Sequence, residues 1–180
     1  MKSSRLSSSL FIIYLSLMLY VALPALSLNL YEIVCNEAGQ DANSCMNILK
    51  TDSRIVAAKN YHDLSKFILE MAFSKATSVQ SYYVKVGIRF PEDKAIRQCS
   101  LAFFADAMED FESALYKLGY NPKGAIDDIH DAGNEVKRCE KALADEKSYN
   151  PSIHALNNGI YLLSEISFLA VNHFALKGGL

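Results

Sequence analysis

From about Asn60 onward, apolar residues recur at steps of three and four, and the pattern stops and restarts three times. The first run carries Leu64, Phe67, Ile68, Met71, Ala72, Ala76, Val79, Tyr83 and Val86. The second carries Ile96, Cys99, Ala102, Phe103, Ala107, Phe111, Leu115 and Leu118. Ile126, Ile129, Ala132, Val136, Cys139 and Ala142 make the third. Ile153, Leu156, Ile160, Leu163, Ile166, Leu169 and Phe174 make the fourth. Such spacing puts one apolar stripe on a helix, and the chain shows no sustained period-two alternation between hairpin turns. Four amphipathic helices with short connections specify an antiparallel four-helix bundle in an all-α protein. The breaks carry the expected punctuation. Gly87 to Phe90 ends the first helix, and Pro91, Glu92 and Asp93 open the second. Gly119 to Gly124 turns into the third helix, and Asn150 or Ser152 caps the last, with Pro151 at its start.

Two shorter helices precede the bundle. Asn29 and Glu32 have the spacing of a capping box, and Leu30, Ile33 and Val34 share a face. After a turn-like stretch from Gly39 to Asn43, a second short helix carries Cys45, Ile48 and Leu49, and Asp52 and Ser53 mark a break. A hairpin of this size buries no core alone, so it docks on the bundle or exchanges with a second chain, giving a homodimer.

The extreme N-terminus bears on compartment. Lys2 and Arg5 precede an apolar run from Leu10 to about Leu26, and Ala25 and Ser27 suit a cut after Ser27. That is the pattern of a secretory signal peptide. No second long apolar run is apparent, so the reading is a signal peptide over 1–27 and a soluble, exported chain of one domain. Within it, 28–53 is the hairpin and 54–180 the bundle. Losing Lys2 and Arg5 moves the formal charge from −2 to −4, which argues against nucleic acid and against an anionic membrane. The four cysteines, Cys35, Cys45, Cys99 and Cys139, suit two disulfides in an exported chain. They allow three pairings, of which one local and one distant pair is the simplest. Asn150 is followed by Pro151, so asparagine-linked glycans are not expected.

Residues that would carry chemistry are scarce. His62, His130, His154 and His173 have no partners at metal-ligand spacing, and no Cys-x-x-Cys is present. Hydrolase, metalloprotease, phosphate-loop and dinucleotide motifs are missing. The expectation is a protein that is not an enzyme and carries no cofactor or metal. Asp127 lies three residues before His130, the spacing of an ordinary helix-surface contact. Asp127, Asp128 and Asp131 form an acidic group early in the third long helix. It reads either as a favourable interaction with the positive helix end or as a contact patch for a basic partner. Phe103 and Phe104 are adjacent and cannot both face one core; Tyr82 and Tyr83 pose the same question.

Taken together, the signal peptide, the two-cysteine hairpin and the bundle with two more cysteines resemble the plant invertase/pectin methylesterase inhibitor family. Cys35 and Cys45 with Leu49 after them match the family's hairpin. Phe104-Ala105-Asp106-Ala107 followed by Phe111 is similar to its aromatic-x-Asp-Ala segment, and Asp131-Ala132-Gly133 with Cys139-Glu140 to the segment around its fourth cysteine. The resemblance implies disulfides Cys35–Cys45 and Cys99–Cys139. It also implies a secreted inhibitor that binds a carbohydrate-active enzyme of the cell wall or vacuole one to one and covers its substrate cleft. Pectin methylesterase is the first expected target and acid invertase the second; the alternative of another class is a carrier for a small apolar ligand or a helical signalling protein. Pro122, Lys123 and Gly124 stand where invertase inhibitors carry Pro-Lys-Phe, and Arg138 where many pectin methylesterase inhibitors carry Thr. These three residues, with Asp127, Asp128 and Asp131, are the candidate interface. From Cys99 to the aromatic-x-Asp-Ala segment this chain is one residue longer than the family pattern. On an α-helix one extra residue turns the following face by about 100° unless it is absorbed locally.

Overall fold

The computed structural model describes residues 28–148 and 150–178, with Lys177 and Gly178 described by their backbone alone. The expected signal peptide lies outside the described residues. Among them every regular element is helical: α1 Leu30–Glu37, α2 Ala42–Leu49, α3 Ser53–Ala57, α4 Tyr61–Arg89, α5 Lys94–Gln98, α6 Phe104–Lys117, α7 Pro122–Asp145 and α8 Pro151–Gly178. The α5 backbone continues into α6 through a π-helical turn at Cys99–Phe103, so the two form one bundle helix. The bundle is antiparallel and square. Each helix packs on its neighbours in sequence, and α8 closes the ring on α4.

Helix ends follow local chemistry. Asn60 Oδ1 accepts the Asp63 N–H at 2.8 Å, satisfying a donor that α4 itself leaves free. Asn121 caps α7 through Gly124 N–H, and Asn150 caps α8 through Ser152 N–H. The capping-box residues meet at the start of α1: Asn29 N–H donates to Glu32 Oε2, and Glu32 N–H bonds the Asn29 carbonyl. Two starts differ from the sequence reading. Pro91 is not the first helical residue; it sits in a turn after α4, and Asp93 caps α5 through Ile96 N–H. Pro91 instead stops α4, because the residue before a proline is pushed out of the helical region, and Phe90 is at φ −128°, ψ 67°. The turn from Gly119 is shorter than expected, since α7 already begins at Pro122. The break at Asp52–Ser53 holds the one-turn helix α3.

Both disulfides are present, Cys35–Cys45 and Cys99–Cys139, with Cα–Cα distances of 5.4 and 5.0 Å. The first clamps the hairpin, whose turn places Gly39 at φ +61°, a conformation glycine adopts without steric cost. In the single chain the hairpin packs back on its own bundle, through α1 and α2 on α8 and through α1 on α4. Tyr31, Val34 and Leu49 are buried there. Glu37 accepts a hydrogen bond from His173 Nε2 at 2.9 Å, and the His173 ring stacks on Tyr61.

That docking explains a feature the sequence reading passed over. The segment Pro151–Leu176 is long and apolar enough to cross a membrane by length and composition. Within the fold it is covered by α4, α7 and the hairpin, with Ile160, Leu163, Ile166, Ala170 and Val171 buried. A helix covered on several sides loses the polar stripe of a surface helix.

The departure of greatest consequence is the π turn. A regular helix continued from Cys99 would bury Ala102 or Phe103, as the spacing predicts. Instead Phe104 N–H donates to the Cys99 carbonyl five residues back, and Phe104 is fully buried. Ala102 is exposed, and Phe103 lies half-buried under the Arg138 guanidinium. One extra residue is thus absorbed in one wide turn. Cys99 stays on the disulfide, Phe104 meets the Tyr83 ring at 5.3 Å, and Ala107, Phe111, Ala114 and Leu118 keep their places in the core. Gln80 on α4 donates to the Ser100 carbonyl at 3.1 Å, tying the wide turn to its neighbour.

Candidate functional site

The α6–α7 end brings together most of the residues singled out by sequence. Pro122 and Lys123 form the first turn of α7. Gly124 lies against the Asn121 cap, where an added Cβ would stand 2.4 Å from the Asn121 amide nitrogen. Asp127 and Asp131 are exposed one turn apart. Asp128 is largely covered and forms an ion pair with Lys117 of α6 at 2.8 Å, which pins the two helices just inside the turn. The Asp128 carboxylate holds the Lys117 ammonium above its ordinary pKa.

The first turn of α7 contains no acid. Stabilisation by the helix dipole fades beyond that turn, so it does not account for the acidic group. The group extends across the groove instead. Asp110, half-buried on α6, has its pKa pushed up to about 6, chiefly by burial and then by the charges of Asp131, Asp128, Glu135 and Asp106. Two helices therefore present a band of mutually repelling carboxylates. His130 contacts Asn134 at 3.1 Å rather than Asp127, contrary to the spacing argument.

Sequence reasoning missed two residues here. Tyr116 and Tyr120 are 77% and 64% exposed, and their rings meet edge to face at 5.4 Å. They flank the Pro122–Lys123 turn, where the expected aromatic residue is missing from the chain. Large amphipathic rings held in place, with few rotatable bonds to order, are favoured anchors at protein interfaces. Spacing could not separate Tyr116 from the adjacent core-facing Leu115; a turn position did the same for Tyr120.

Toward the opposite end of the bundle, a polar relay runs from the core to the surface. Tyr83 OH donates to Asn157 Oδ1 at 2.9 Å, and Asn157 Nδ2 donates to Glu140 Oε1 at 2.6 Å. The other Glu140 oxygen meets His154 Nδ1 at 2.8 Å. Burial holds the Tyr83 hydroxyl well above its ordinary pKa. The relay joins α4, α7 and α8 beside the Cys99–Cys139 bridge, and a small recess of about 50 Å³ lies against Glu140 and His154. A groove of about 480 Å³ lies elsewhere, between the hairpin and α8, and is open to solvent.

A disulfide-clamped hairpin on a disulfide-tied, antiparallel four-helix bundle defines the class of fold. Among solved structures, the same architecture occurs in pectin methylesterase inhibitors from Arabidopsis. A mutant form of one such inhibitor superposes with a TM-score of 0.67 at 19% identity, covering 77% of this chain and 93% of that one. A second, from Arabidopsis thaliana, superposes at 0.59 and 19% identity, covering 82% and 97%. No protein-family model and no curated protein matches the chain. The likeness establishes the fold, in agreement with the resemblance read from the cysteine spacing.

Proposed function

We propose that this protein is a secreted inhibitor that docks on a plant carbohydrate-active enzyme, one to one, and occludes its substrate cleft without itself being an enzyme. The observation that carries the reading is the shared fold with the Arabidopsis pectin methylesterase inhibitors. Pectin methylesterase is accordingly the first target, acting in the apoplast. The α6–α7 end is the proposed contact, with Tyr116 and Tyr120 as anchors and Asp127 and Asp131 as exposed charges. A bundle held by two disulfides loses little conformational entropy on docking. A second reading, acid invertase in the wall or vacuole, is favoured by one feature. The exposed Pro122–Lys123 turn lies beside Tyr120, which supplies an aromatic ring next to the Pro-Lys pair.

The test is a titration of the oxidised protein against purified pectin methylesterase and acid invertase at mildly acidic pH. The expected result is loss of pectin methylesterase activity with an end point at one equivalent. Invertase loss alone would transfer the assignment to the second reading. Both activities surviving a large excess would overturn the proposal. Replacing Tyr116 and Tyr120 by Ala should weaken inhibition by about 2 kcal/mol, roughly thirtyfold, if they are central anchors.

A further inference from the structure

At the opposite end of the bundle, the C-terminal part of α4 and the π turn expose a second surface. Ile88, Leu101 and Phe90 are 76%, 69% and 61% exposed, and with Val84 they line one groove of about 260 Å³ beside Arg97. Leu101 lies within the π turn on the outer face of its helix, next to Ile88 and Val84. Scattered exposed apolar residues are ordinary, whereas a contiguous cluster marks an interaction surface. The stretch that carries it is net basic, while the adjoining end of α7 brings Asp145 and Glu146. Residues 84–101 hold Lys85, Arg89, Lys94 and Arg97 against Glu92 and Asp93, and among the described residues none of the four cations forms an ion pair.

The α6–α7 end is its complement in both respects. Its apolar anchors are Tyr116 and Tyr120, and residues 109–131 hold six carboxylates against two lysines, one of them already paired with Asp128. Patch against patch between two copies would oppose like charges at either end, which is unfavourable. Patch against the opposite end places apolar anchors on apolar anchors and cations on carboxylates.

We infer that this protein self-associates head to tail, the Val84–Ile88–Phe90–Leu101 surface of one copy docking on the Tyr116–Tyr120 end of the next. Such a contact is heterologous, so it propagates into a closed ring or an open chain rather than a symmetric dimer. If the α6–α7 end is also the enzyme contact, assembly and enzyme binding compete; that consequence rests on the proposed function, while the assembly itself does not.

The experiment is sedimentation equilibrium of the purified, oxidised protein, with no enzyme present. One variant spoils the basic end (Ile88→Asp with Leu101→Asp) and the other the acidic end (Tyr116→Ala with Tyr120→Ala). All four side chains are exposed, and an unchanged helical melt confirms that each variant folds. The wild type should gain mass with concentration at low salt. It should return to monomer at about 1 M salt, where charges are screened beyond about 3 Å. Each variant alone should stay monomeric, and an equimolar mixture should form a discrete dimer, because each retains the surface that the other lacks. A wild type that stays monomeric up to about 1 mM, where an association of about 4 kcal/mol would be visible, overturns the inference. Association that persists at high salt, or a mixture that fails to pair, overturns it equally.

Discussion

Replacing Asp110 by Asn should stabilise the protein at neutral pH and leave it unchanged in acid. In the fold, Asp110 gives up its proton at about 6 against 3.8 ordinarily, because it is half-buried and faces Asp131, Asp128, Glu135 and Asp106. Between these two values the unfolded chain is already ionised while the folded chain still holds the proton. Stability therefore falls as pH rises from about 4 to about 6 and stays lowered above that. Two pKa units would amount to about 3 kcal/mol; solvent screening at this half-open groove reduces that to about 1 kcal/mol. The asparagine carries no charge and keeps the shape, so it escapes the penalty. Urea unfolding followed by helical circular dichroism at several pH values reads the difference. With a slope of about 2 kcal/mol/M for a chain of this size, the midpoint should rise by about 0.5 M at pH 7 and not at pH 4. Carboxylates remote from Asp110 titrate alike in both proteins and cancel. Equal midpoints at pH 7, or a less stable variant, would refute the crowding argument.

Three further outcomes test the architecture. Phe104→Ala should cost about 3–5 kcal/mol and Phe103→Ala under about 1.5, measured by the same unfolding assay; a reversed order would mean that the wide turn at Cys99 is not there. Removing Cys99–Cys139, which closes a sequence separation of 40, should cost about 4 kcal/mol and lower the melting temperature by about 10 °C. Removing Cys35–Cys45, with a separation of 10, should cost about 3 kcal/mol in the same thermal melts. Gly133→Ala should destabilise by about 1 kcal/mol in urea, because its Cβ would stand 2.6 Å from the buried Ser164 hydroxyl, where α7 and α8 approach closely.

Much of the architecture was legible in the chain because it rests on local, periodic information. Apolar steps of three and four placed the four bundle helices, Asn150 was one of two caps offered for the last, and Pro91 marked a boundary, though as a stop rather than a start. The same periodicity erred at Ala102 and Phe103, since a three-to-four pattern cannot show where one turn will widen. That choice belongs to the tertiary structure. Cys99 reaches Cys139 on α7 while Phe104 meets Tyr83 on α4, and the five-residue step satisfies both partners. The site divides in the same way. The acidic residues and the Pro122 turn were visible as composition, whereas the exposure of Tyr116 and Tyr120 depended on which face α6 turned inward. The raised pKa of Asp110 arises from charges on two helices, which only packing brings together. Helix content, helix order and cysteine number were thus determined by the sequence alone, because each is set by neighbours along the chain. The register of α6, the aromatic end and the apolar patch at Leu101 were decided by tertiary structure, because each depends on residues brought together only by packing.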